Sequence, residues 1–182
     1  MPRLVILGRQ GSGKGTQSAR LAERYGVPHI STGDILRVAV AEQTDLGQRA
    51  MAIMDAGDLV PDEIMLGIIE ERLAAPDAAR GFVLDGFPRT DVQAQGLAAL
   101  LGTDGLDLAV DLAVPDEVVI ERMLARGRAD DTEEAIQRRL DLYEEQTAPL
   151  LEWYSNQDLL VTVDGVGTPD EVFGRLAQVI DA

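Results

Sequence analysis

Gly8-Arg9-Gln10-Gly11-Ser12-Gly13-Lys14-Gly15-Thr16 follows a short apolar run, Leu4-Val5-Ile6-Leu7, and opens a helical pattern at Gln17-Ser18-Ala19-Arg20-Leu21-Ala22. Strand, glycine loop, helix is the context that a P-loop requires. The glycines let successive backbone N–H groups turn inward around a phosphate, and the helix N-terminus adds partial positive charge. Lys14 then reaches the outer phosphates as a compact point charge. The spacing departs from the general pattern at one place. Gly15 follows the lysine and the hydroxyl arrives one residue later, at Thr16, so Lys14 is the firmer phosphate ligand and Thr16 the weaker magnesium ligand. Lys14 is also the only lysine among the 16 cations; the others are arginines. A chain that otherwise avoids lysine keeps one where phosphate chemistry calls for it.

At 182 residues the chain reads as one domain, with room for small inserted lobes, and its 46% apolar content can fill a core. There is no cysteine, so disulfides and thiolate zinc sites are excluded. No apolar stretch approaches the length of a membrane span, and nothing after Met1-Pro2-Arg3 resembles a signal peptide; a soluble cytoplasmic protein is expected. The net charge of −16 argues against nucleic-acid or membrane-surface binding. A polyanion site in so acidic a chain must gather the few cations to itself.

Apolar strand patterns alternate with helical ones, which predicts a five-stranded parallel sheet, doubly wound, with helices on both faces. The strands fall at residues 3–7, 27–30, 82–84, 108–112 and 159–163. Gly26 and Gly57 are expected helix stops. Ser31-Thr32-Gly33-Asp34 reads as a capping cluster, and Thr168-Pro169-Asp170-Glu171 as a capping box with proline at the first helical position. Asp131 is expected to cap a long helix running to about Tyr154. Ligands of such sheets lie beyond the C-terminal ends of the strands. Two motifs fall there: the glycine loop and Asp85-Gly86-Phe87-Pro88-Arg89. Asp85, ending a strand across the sheet from the loop, is suited to hold magnesium directly or through its waters, and Arg89 to hold phosphate. A third cluster is Arg126, Arg128, Asp130, Asp131 and Arg139.

Taken together these motifs resemble the adenylate kinases, over the whole chain. The resemblance rests on Gly13-Lys14-Gly15-Thr16-Gln17, Ser31-Thr32-Gly33-Asp34 with Arg37, and Gly57-Asp58-Leu59-Val60-Pro61. It continues through Asp85-Gly86-Phe87-Pro88-Arg89 with Gln93, then Arg126, Arg128-Ala129-Asp130-Asp131 and Arg139, and Thr147-Ala148-Pro149-Leu150. It implies a P-loop kinase core spanning 1–182, with a nucleoside-monophosphate lobe at 31–60 and a very short lid at 127–133. It also implies reversible transfer of the ATP γ-phosphoryl group to AMP, giving two ADP, with magnesium and no structural zinc.

By the same resemblance Gly11, Ser12, Gly13, Lys14, Gly15, Thr16 and Arg126 hold ATP, and Gly167 makes a backbone contact near its adenine. Thr32, Arg37, Asp58, Leu59, Val60, Gly86, Phe87, Pro88, Arg89 and Gln93 surround AMP. Arg128 and Arg139 complete the phosphate cage, and Lys14, Asp85, Arg89, Arg126, Arg128 and Arg139 form the catalytic set. Gln10 stands where many family members carry proline, and the lid lacks both the length and the cysteines of long-lid forms. The implied protein is a monomer, binding ATP, AMP and ADP and no nucleic acid or membrane.

The chemistry fits such a residue set. Phosphoryl transfer needs in-line positioning and charge neutralisation, and the attacking AMP phosphate is already an oxyanion. No general base is required, and His29, the single histidine, is read as structural. Two alternatives stand beside this one: a UMP/CMP kinase of the same superfamily, and a non-catalytic P-loop switch.

Overall fold

Alternate side chains of β1 (Arg3–Leu7) leave the strand on opposite faces, and both faces are apolar. Leu4 and Ile6 enter one core cluster, Val5 and Leu7 another, and none is more than 3% exposed. A strand buried on both sides belongs at the centre of a covered parallel sheet. The computed structural model, which describes all residues Met1–Ala182, puts it there. The other strands are β2 (His29–Ser31), β3 (Phe82–Asp85), β4 (Leu108–Ala113) and β5 (Leu160–Asp164), all paired parallel in the order β2-β3-β1-β4-β5.

Helices α1 (Lys14–Tyr25) and α9 (Pro169–Ile180) cover the face of Leu4 and Ile6 through Leu21, Ala22, Val172 and Leu176. The opposite face is covered by α4 (Asp62–Leu73), α5 (Asp91–Leu101) and α8 (Pro149–Ser155), through Met65, Ile69, Ala94, Leu97, Leu150 and Tyr154. Two further helices, α2 (Thr32–Ala41) and α3 (Asp45–Ala56), form a hairpin joined to that second core by Leu36 and Ala50. A third cluster, with Val119, Met123, Ile136 and Leu140, joins α6 (Asp116–Arg126) to α7 (Glu133–Leu142).

Local chemistry sets the boundaries. Ser31 Oγ accepts from Asp34 N–H to start α2, and Thr168 with Glu171 forms the reciprocal capping box of α9. Gly26 and Gly57 end α1 and α3 in left-handed conformation. In two places the outcome differs from expectation. Thr132, not Asp131, caps α7, its hydroxyl accepting from Ala135 N–H, and Asp131 is released for ion pairing. The expected single helix to Tyr154 is interrupted by a π-turn at Tyr143–Thr147, where Ala148 N–H reaches back to Tyr143 O at 2.7 Å. Pro149 explains it: its ring would clash with the carbonyl four residues back, and the wider turn removes the clash.

The chain moves from β1 to β2 and β3 on one side, then to β4 and β5 on the other. The crevice of such a reversal opens at the C-terminal ends of β1 and its neighbours. The glycine loop leaves β1 there, and Asp85 ends β3 in register with Ile6.

Candidate active site

The loop from Gly8 to Gly13 wraps the N-terminus of α1. Gly13, its last residue, has φ +97°, a conformation that a side chain would strain. With no side-chain cap on α1, the first N–H groups of the helix face the crevice. Lys14 folds back over the loop, its Nζ donating to Gly8 O at 2.8 Å and Arg9 O at 2.9 Å. Burial, with Arg89 and Arg126 nearby, pushes the ammonium pKa down to about 8 against the pull of Asp85.

Asp85 is 8% exposed, and His29 Nε2 lies 3.3 Å from its Oδ2. Burial works to raise the Asp85 pKa, but the His29 hydrogen bond and the Lys14 charge outweigh it and hold the carboxyl below its usual range. His29 therefore packs against the one carboxylate at the end of β3 rather than standing free as a base.

A cleft of about 600 Å³ opens over these groups. Lys14, Arg37, Arg89, Arg122, Arg126 and Arg128 line it together with Gly11, Gly13, Gly15 and Thr16, and only one lining residue is hydrophobic. Six of the 16 cations line this one cleft. Most arginines elsewhere are paired with carboxylates. Arg89, Arg122 and Arg128 have no carboxylate partner, and each faces this cleft. Burial, with like-charge crowding, lowers the pKa of Arg89 and of Arg128, as expected for cations assembled to meet an anion.

Arg126 and Arg139 are held by Asp131, whose side chain is fully buried. Arg126 Nε donates to Asp131 Oδ2 at 2.7 Å and Arg139 Nη1 to Oδ1 at 2.9 Å. Arg139 also donates to Asp130 and to Met54 O, which ties the turn after α6 to the end of α3. Arg37 pairs with Asp34 one helical turn away.

A second pocket lies under the α2–α3 hairpin. Thr32, Arg37, Asp58, Leu59, Val60, Gly86, Arg89, Gln93 and Arg139 all line it, so most residues expected around a monophosphate converge. Thr32 Oγ1 donates to Gly86 O at 3.0 Å. Asp58 also pairs with Arg138 of α7 at 2.7 Å. Pro88 borders the adjoining space between Lys14, Arg89 and Thr147. Phe87 is different: it is 1% exposed within the main core, so its side chain packs and only its backbone is near the pocket. Ser12 is also buried, its carbonyl accepting from Arg122.

On the other side of the loop, Gly13, Thr16, Arg122, Gly165 and Gly167 share a smaller groove. Arg122 was not singled out by sequence. It donates to Ser12 O at 3.1 Å and Gly165 O at 3.3 Å, bridging the glycine loop to the β5–α9 turn. Its one sequence cue is the helical spacing to Arg126, one turn on along α6.

A glycine-loop cleft lined by arginines and a hairpin pocket thus adjoin one another through Arg37, Gly86 and Arg89. Across residues 6–159 the chain matches the family model described as adenylate kinase. This chain belongs to the adenylate kinase family. It is 51% identical over 180 residues to the adenylate kinase of Mycobacteroides abscessus, covering 98% of both chains. It is 55% identical over 179 residues to adenylate kinase 1 of a Synechocystis species, covering 97% of this chain and 96% of that one. With the adenylate kinase of Stenotrophomonas maltophilia it shares 50% over 186 residues, 99% of this chain and all of the other. As a member of that family the chain is a nucleotide-binding kinase, with no helix long and apolar enough to cross a membrane.

Proposed function

We propose that this adenylate kinase family enzyme transfers the γ-phosphoryl group of ATP to AMP, reversibly, giving two ADP, as a cytoplasmic monomer serving adenine nucleotide balance. The observation that carries it is the cleft lined by Lys14, Arg37, Arg89, Arg122, Arg126 and Arg128, which runs from the glycine loop into the hairpin pocket. A protein that only bound ATP would have no use for guanidinium groups on the far side of the transferring phosphate.

In this reading ATP lies with its phosphates against the N–H groups of Gly11 to Thr16 and its base in the groove of Arg122 and Gly167. AMP lies under the hairpin, its base toward Thr32 and Gln93 and its phosphate toward Arg37 and Arg89. An oxygen of the AMP phosphate attacks the γ-phosphorus, the bond to the β-phosphate oxygen breaks, and ADP leaves. Lys14 and the arginines balance the charge spread over the equatorial oxygens. Arg139 and Arg126 exchange part of their pairing with Asp130 and Asp131 for phosphate as residues 127–133 close over ATP and residues 31–60 over AMP. Closure excludes the water that would otherwise take the phosphoryl group.

Magnesium fits this cleft as an ion carried in by the nucleotide. No group of three or more His, Asp or Glu residues is poised to hold it. Asp85, an ionised carboxylate, faces the cleft beside Gly15, while Asp34 in the same cleft pairs with Arg37; a single carboxylate suits an ion that keeps waters and takes its remaining ligands from phosphate. When bound, magnesium neutralises charge on the phosphate oxygens.

The test is ADP formation from ATP, magnesium and each of AMP, CMP and UMP in turn. AMP is expected to lead by at least about tenfold in kcat/KM, because an unmet hydrogen bond in a dry pocket costs about 1–3 kcal/mol. Equal use of CMP or UMP would overturn the acceptor assignment and leave the phosphate cage standing.

A further inference from the structure

Gln93 is 2% exposed and lines the hairpin pocket, yet neither end of its amide is free of protein partners. Oε1 accepts from Arg89 N–H at 2.8 Å, and Nε2 donates to Asp62 Oδ1 at 2.9 Å. A primary amide has two N–H groups and two lone pairs, so one of each remains for a ligand. The partners have opposite character. A backbone N–H can face only the oxygen end, and a carboxylate only the nitrogen end. They therefore dictate which way round the amide lies, a choice that an amide otherwise makes freely.

Asp62 is the first residue of α4, following Pro61, which supplies no cap of its own. Its Oδ1 also accepts from Thr90 Oγ1 at 2.8 Å. Thr90 is the cap of α5 and accepts in turn from Gln93 N–H at 3.2 Å. One carboxylate oxygen thus fixes both the helix cap beneath Gln93 and the amide itself. In the sequence Pro61-Asp62-Glu63 reads only as a helix start.

Resting on the acceptor assignment above, we infer that Asp62 is a positioning residue for base recognition. It holds the Gln93 amide so that its spare N–H and lone pair match adenine and mismatch hypoxanthine. Adenine offers an amino donor beside a ring acceptor. Hypoxanthine, of the same shape, offers an oxo acceptor beside a ring N–H donor. A fixed amide fits one and opposes the other; without Asp62 only the Arg89 N–H holds it, and an amide so loosened can turn toward either base.

The experiment compares AMP with IMP as acceptor at saturating Mg-ATP, in wild type, D62A, D62N, Q93A and the D62A/Q93A double variant. Wild type is expected to favour AMP over IMP by at least tenfold in kcat/KM. D62A should cut that ratio at least fivefold, with the loss in the KM for AMP and a gain in the use of IMP, while the KM for ATP moves less than twofold. D62N, whose amide can still present an oxygen to Thr90 and Gln93, should keep the ratio within about twofold of wild type. If D62A does not fold, D62L, close to aspartate in size but with no oxygen for Gln93, is read in its place and should lower the ratio in the same sense. In the Q93A background D62A should alter the ratio less than twofold, since its effect passes through that amide.

A D62A enzyme that is less stable but equally selective would overturn the inference. So would D62N losing as much selectivity as D62A, additive effects in the double variant, or a wild type indifferent between AMP and IMP. None of these touches the AMP-over-CMP comparison, which tests the acceptor assignment separately.

Discussion

Lys14 shows how a residue can be set for a ligand before the ligand arrives. Its ammonium is satisfied by two loop carbonyls, Gly8 O and Arg9 O, which a phosphate can replace without the side chain leaving the loop. Removing so well oriented a charge should cost on the order of 3 kcal/mol in the transition state. Lys14→Met is therefore expected to lose at least about a hundredfold in kcat with an unchanged circular dichroism spectrum. The depressed pKa adds a pH signature. Only the protonated form neutralises phosphate, and in the free enzyme it is lost as pH rises through about 8. Profiles of kcat/KM for ATP should fall on the alkaline side with an apparent pKa near 8. In Lys14→Arg, though it is slower, that limb should move up by more than a pH unit, because guanidinium does not titrate there. A limb that stayed put would assign the titration to another group. Arg122 belongs to the same scale. Its two hydrogen bonds to loop carbonyls are charge-assisted, so Arg122→Ala should raise the KM for ATP by about tenfold and that for AMP less than threefold, worth roughly 1.5 kcal/mol. Neither Arg122 nor Asp62 stood out in the sequence, because each is defined by partners brought near only by folding: Gly165 for one, Gln93 for the other.

At the scale of elements, the α2–α3 hairpin carries one wall of the acceptor pocket and depends on a single close approach. A Cβ on Gly47 would come within 2.0 Å of Ala39 O, a backbone atom that cannot swing aside. Gly47→Ala should force the two helices apart and destabilise by about 1–3 kcal/mol. It should also raise the KM for AMP more than that for ATP, since Thr32, Leu36 and Met54 of this hairpin line the acceptor pocket and not the cleft over the glycine loop. Thermal melts and the two KM values check it; a stable variant with both constants unchanged would mean the hairpin adjusts. Elements were legible where local chemistry decides them. Thr168 to Glu171 and Ser31 to Asp34 contain their own caps, and the apolar strands declare a two-faced sheet. Asp131 was misread for the reverse reason. It has capping chemistry and a suitable position, but Thr132 beside it has both too, and two arginines compete for the carboxylate. The π-turn before Pro149 was hidden because proline signals an interruption without saying whether the helix stops or widens.

At the scale of the whole molecule, charge and function pull in different directions. The site needs free cations, and three arginines with Lys14 are kept without carboxylate partners in the cleft while the chain as a whole carries −16. Only eleven of the 32 acids pair with an arginine. The remaining carboxylates repel one another across the surface, and exposed ion pairs of the kind formed by Arg24 and Asp181 recover little. Salt acts on the two populations unequally. It weakens exposed pairs slightly, but it screens every unpaired acid from all the others, and at 1 M the screening length of about 3 Å is shorter than most separations between them. Screened repulsion should dominate, so the thermal midpoint is expected to rise steadily from low salt to about 1 M potassium chloride. The cleft should respond in the opposite sense. The same ions compete for unpaired arginines, so the KM for both nucleotides should climb over the range in which the protein gains stability. Melting curves and KM values measured in one salt series separate these effects. A flat or falling midpoint would show that the eleven paired acids already offset the charge of the rest.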